Sequence, residues 1–122
     1  MPIALCIIAS GKTTMLAASA FTLAWTHSVE KTRWEEEWRV TPAGLELIVA
    51  RVEGTGAGME IPDGAMLEDG IWSYRPDLPP QATLHLASSG ATASGWEFCA
   101  NGRCLTLGAD PGEPVEIKRC DG

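Results

Sequence analysis

Short runs in which apolar and polar residues alternate, broken every few residues by Gly, Pro or Asn, recur along most of the chain. Apolar residues at helical spacing are scarce. A period of two marks half-buried strands, and turn signals this closely spaced mark an all-β domain. Strands are expected from Ile3 to Ala9, Thr14 to Ala18, Phe21 to Val29, Trp34 to Thr41, Leu45 to Glu53, Gly70 to Tyr74, Thr83 to Ala87, Trp96 to Ala100, Arg103 to Leu107 and Val115 to Arg119. About ten short strands need a small antiparallel β-sandwich or a closed barrel to cover their inner faces and limit bare edges. The pattern does not choose between the two.

The connections follow turn chemistry. Ser10-Gly11, Pro42-Ala43-Gly44, Asp69-Gly70, Asn101-Gly102 and Asp110-Pro111-Gly112 each lie between apolar runs and read as tight reversals. The stretch from Gly54 to Gly64 reads as a long surface loop, and Pro76, Pro79 and Pro80 as an extended link.

Composition narrows the function classes. A chain of 122 residues, 45% of them hydrophobic, is one domain with its own core, spanning 1–122. A net charge of -7, with acids in excess in both halves, opposes nucleic acid and anionic lipid as partners. No apolar run reaches the ~18 residues of a membrane helix. Ala18 and Ala20 imitate a signal-cleavage pattern, but no basic segment precedes Lys12 and the apolar stretch after Thr14 is short. The chain as encoded is therefore expected in the cytoplasm, with the periplasm as the alternative.

The richest segment is Phe21 to Val40, read as two strands around Glu30, Lys31, Thr32 and Arg33. If Phe21, Leu23, Trp25, His27 and Val29 face the core, then Trp34, Glu36, Trp38 and Val40 face it from the partner. Closing over that loop places Val29 opposite Trp34, His27 opposite Glu36, Trp25 opposite Trp38 and Leu23 opposite Val40. His27 and Glu36 then sit among tryptophans, where the pair can fix strand register, contact a ligand, or act as general acid and base. A helix with Trp34 and Trp38 one turn apart is the competing reading. Trp72 and Tyr74 alternate on one strand and Trp96 opens another; such aromatics fill small β cores or form a stacking platform for a sugar.

Ser10-Gly11-Lys12-Thr13 has the end of a phosphate-binding loop but lacks its first glycine, since position 6 is Cys6, so a hairpin turn is expected. Asn101-Gly102 is the strongest short hairpin signal, and its type I′ turn sets Cys99 opposite Cys104 within disulfide reach. A second bridge from Cys6 to Cys120 is open. These cysteines with His27 and His85 lack zinc-knuckle spacing, so no metal and no cofactor are expected.

His27-Ser28-Val29-Glu30-Lys31-Thr32, then Glu35-Glu36-Glu37, then Gly56-Ala57-Gly58-Met59, resemble the bacterial domain of unknown function 1850 family over nearly the whole chain. That resemblance implies an accessory role beside tripartite ATP-independent periplasmic (TRAP) transporters of the TAXI type, with transporter subunits or a solute-binding protein as partners and no catalytic residues to carry across. Longer relatives carry an N-terminal hydrophobic segment, which leaves the compartment open. The leading expectation is thus a noncatalytic accessory or binding domain. The alternatives are a small-molecule binding protein for an organic anion or sugar, contacting it through His27, Glu36, Trp25, Trp38 and Glu30 with Gly56, Gly58 and Met59 as a loop motif, and an enzyme using the His27/Glu36 pair.

Overall fold

Antiparallel strands joined by tight reversals account for the architecture, in a computed structural model that describes residues 4–26, 33–53, 64–86, 95–109 and 112–120. In chain order the strands are β1 (Ala4–Ala9), β2 (Lys12–Ala17), β3 (Ala20–Thr26), β4 (Arg33–Thr41), β5 (Gly44–Glu53), β6 (Met66–Glu68), β7 (Ile71–Tyr74), β8 (Thr83–Leu86), β9 (Trp96–Ala100), β10 (Arg103–Leu107) and β11 (Val115–Arg119). There is no helix among the described residues. The ten expected strands are all present, and Trp34 to Trp38 is strand, which corrects the helical alternative. The eleventh, β6, gave no signal because its three residues are all exposed and too few to alternate.

Three reversals share one backbone solution. Ser10-Gly11, Asp69-Gly70 and Asn101-Gly102 each carry two consecutive positive φ angles, 52° and 76°, 51° and 78°, and 53° and 76°. That is the type I′ signature, whose twist matches the strands it joins. Ser10-Gly11 is accordingly a hairpin turn between β1 and β2, and no helix follows to make it a phosphate loop.

The strands form two sheets, β2-β1-β11-β8 and β10-β9-β3-β4-β5-β7-β6. They stack as a sandwich and do not close into a barrel. Leu5, Ile7, Leu86, Val115 and Ile117 of the smaller sheet meet Phe21, Leu23, Trp38, Val40, Leu45, Leu47 and Phe98 of the larger one in one buried cluster. Each fully buried side chain of this size contributes roughly 1.5–3 kcal/mol. Both cysteine pairs are bonded: Cys99 to Cys104, directly opposite on β9 and β10, and Cys6 to Cys120, which fastens β1 to the end of β11.

Candidate functional site

The inner face of the larger sheet continues along β3, β4 and β5 past the residues of the main buried cluster. The buried cluster takes Leu23 of β3, Trp38 of β4, Leu47 of β5 and Phe98 of β9. Alternation places Trp25, Trp34, Glu36, Ala50 and Val52 on the same inner face, outside that cluster, with Ala50 and Val52 buried and Trp25, Trp34 and Glu36 half-buried.

Pairing lines this end with aromatic residues. Trp25 lies opposite Trp34, Trp34 opposite Val52, and Val52 opposite Trp72, so one transverse row crosses β3, β4, β5 and β7. Trp96, on β9 beside β3, extends the row at its other end: its ring centroid lies 4.7 Å from that of Trp25, which stacks on Trp34 at 6.0 Å. Four of the five tryptophans in the sequence thus share the row, all of them half-buried. The fifth, Trp38, is a core residue, 5% exposed and stacked on Phe21.

The next row holds the chemistry. Glu36 lies between Leu23 and Ala50, and Ala50 is opposite Tyr74. Trp38 donates its indole N–H to Glu36 Oε1 at 3.1 Å. Burial pushes the Glu36 carboxyl above the ordinary glutamate range, and the Trp38 hydrogen bond pulls it part of the way back. Tyr74 is pushed up as well, first by burial and then by the negative charge of Glu36, which marks the two as electrostatic neighbours.

The outer face of the same strands carries paired charges. Arg51 bridges Glu35 at 3.1 Å and also Glu37, while Arg33 reaches Glu97 at 3.1 Å and Glu35 at 3.9 Å. A cleft of about 160 Å³ opens among Arg33, Glu35, Arg51, Glu53 and Ile71. A larger one of about 470 Å³ lies along the open side of the sandwich, between Leu16 of β2 and Leu105 of β10. Asn101 crosses that side, donating from Nδ2 to the Ala17 carbonyl at 2.6 Å. Glu97, Cys99 and Cys104 lie close together, but the two sulfurs are bonded to each other and offer no thiolate to a metal.

The expected β3–β4 register is corrected by four residues. Trp25 faces Trp34 rather than Trp38, and Leu23 faces Glu36 rather than Val40, so the cross-strand position assigned to His27 belongs to Leu23. Alternation fixes which residues share a face and tolerates slides of two or four residues; a definite turn fixes register, and this segment lacks an Asn-Gly signal. Trp25, Trp38 and Glu36 keep the expected face. His27 and Glu30 lie outside the described residues, as do Gly56, Gly58 and Met59. Sequence reasoning put Trp34 on the face of Trp25, at another register, but left Trp72, Tyr74 and Trp96 on strands unconnected to it, because the β9–β3 and β5–β7 pairings join distant segments.

No curated protein and no solved structure matches the chain. A family profile, that of a domain of unknown function, matches residues 21–107. The matched span runs from the second residue of β3 to the end of β10, hence over every strand of the seven-stranded sheet but for Ala20, and over the complete tryptophan row. With well over half its length inside that span, the chain belongs to the DUF1850 family.

Proposed function

We propose that this domain is a noncatalytic binding module serving a TAXI-type solute uptake system, and that it holds a small organic molecule on the tryptophan row beside Glu36. One observation carries the binding part: a row of four half-buried tryptophans, of which Trp96 packs against the buried cluster and Trp25, Trp34 and Trp72 lie outside it, runs beside a half-buried carboxylate on the inner sheet face. Large aromatics gain most by burial, and half-buried aromatic rings with one polar anchor are the usual composition of a small-molecule site. The aromatic and aliphatic surroundings of Glu36 favour binding over turnover, since acid–base catalysis needs a second group to complete the proton transfer.

The link to uptake rests on the family resemblance, in which such domains accompany TAXI-type transporters. The two disulfides favour an oxidising compartment, and so the periplasmic alternative, where a solute-binding protein would be the neighbour.

Thermal shift against a panel of amino acids, sugars, dicarboxylates and quaternary amines tests the binding reading. A ligand at about 100 times its Kd raises stability by about 2.7 kcal/mol. At least one class should raise the melting temperature of the wild type and of Arg51→Ala, altered on the opposite face, but not of Trp34→Ala. No response in any class counts against the site. Co-purification from mildly solubilised membranes tests the transporter link separately: recovery of the transporter subunits or solute-binding protein supports it, and their consistent absence counts against it.

A further inference from the structure

Strand β4 carries three consecutive glutamates whose surroundings differ by face. Glu35 and Glu37 point outward and are paired with Arg33 and Arg51. Glu36 points inward, accepts one hydrogen bond from Trp38, and meets no Arg, Lys or His among the described residues. A carboxylate has two oxygens and about four acceptor positions, of which Trp38 takes one among the described residues. A carboxylate drawn partly out of water without a counter-charge is costly, and a cation would relieve that cost.

The groups around Glu36 also match a cation. Trp34 and Trp38 lie two residues to either side on the same face, Trp25 is its diagonal neighbour on β3, and Tyr74 follows across Ala50. Aromatic rings present negative faces and attract ammonium groups, Trp most strongly. The chain's net charge of -7 works in the same direction over longer range. A second carboxylate brought to this site would meet repulsion, and a neutral sugar would leave the charge uncompensated.

Resting on the binding function proposed above, we infer that the ligand of this face carries an alkylated ammonium group, lodged against Glu36 among Trp25, Trp34 and Tyr74. This replaces the organic anion or sugar expected from the sequence. Recognition is by charge and ring faces, so it tolerates variation in the remainder of the molecule.

Choline and its neutral isostere 3,3-dimethylbutan-1-ol, titrated into the full chain and followed by tryptophan fluorescence and calorimetry, test the inference. Choline should bind more tightly than the isostere. Glu36→Gln, which keeps the side-chain shape and an acceptor for Trp38, should weaken choline by roughly tenfold or more, the change produced by about 1.4 kcal/mol, and leave the isostere unaffected. In the wild type, choline should lower the Glu36 pKa measured by NMR, a readout that does not depend on the variant folding. Equal binding of both probes, removed by Trp34→Ala and indifferent to Glu36→Gln, would overturn the cation while leaving the site intact. Failure of both probes, together with a panel that finds no ligand of any class, would overturn the inference and the binding function together.

Discussion

Trp25 lies directly across from Trp34, and their rings stack with centroids 6.0 Å apart on the part of the sheet that lies beyond the buried cluster. Stacked pairs of this kind contribute roughly 0.5–1.5 kcal/mol beyond the area they bury. Trp96, 4.7 Å from Trp25 on the other side, ties the pair to the buried cluster it packs against.

Truncation should separate this row from the core. Trp38→Ala removes a buried, hydrogen-bonded and stacked ring and should cost about 3–5 kcal/mol. Trp34→Ala removes a half-buried ring outside the cluster and should cost roughly 1–2 kcal/mol by the same area reasoning. Urea denaturation of the two variants makes the comparison; a Trp34→Ala loss equal to that of Trp38→Ala would place the row in the core.

Glu36 should give stability a characteristic pH dependence. Burial raises its pKa in the folded chain, so the folded state holds the proton to higher pH than the unfolded state does. Raising the pH through that interval therefore destabilises the wild type. The stability difference between wild type and Glu36→Gln should move against the wild type from about pH 4.3, the unfolded glutamate value, and level off above the folded pKa. Tyr74, raised in the same direction, acts only at alkaline pH. Urea midpoints across this range give the answer, and a pH-independent difference would contradict it.

The two disulfides should contribute unequally. Cys6–Cys120 closes a loop with a separation of 114 residues and Cys99–Cys104 one of 5. Loop-closure entropy assigns about 5 kcal/mol to the first and about 2 kcal/mol or less to the second, where the type I′ turn already holds the ends together. Denaturation of the two double-serine variants should show Cys6→Ser/Cys120→Ser losing more. Alkylation before lysis of native cells should find no reactive thiol among the four cysteines; four reactive thiols would refute the oxidising compartment.

Gly95 holds the entry to β9 and so the position of Trp96. Its φ is +72°, and a Cβ there would lie 2.7 Å from the Leu107 carbonyl oxygen. Gly95→Ala should cost about 1–3 kcal/mol or more through backbone strain, with Gly112→Ala, which meets open space, within about 0.5 kcal/mol of wild type. Equal melting temperatures for the two variants would contradict this.

The fold was legible because strand alternation and Asn-Gly, Asp-Gly and Ser-Gly turns are local signals. The Cys99–Cys104 pair followed from its turn, and the inner face of Trp25, Glu36 and Trp38 followed from parity. What was hidden depends on distance along the chain or on a missing turn signal. The β3–β4 register slid by four residues without changing any face. Trp96 joined Trp25 through β9 pairing with β3, a neighbour relation that nothing near either residue encodes. Cys6 and Cys120 likewise meet because the first and last strands pair.

The most direct test follows the indole N–H signals of the ¹⁵N-labelled protein while choline, glucose and succinate are added in turn. At least one solute should move the Trp25 and Trp34 signals together, saturably and with one Kd, while the Trp38 signal responds less. If all three solutes leave Trp25 and Trp34 in place, or if the largest changes fall outside the row, the tryptophan row is not the binding surface.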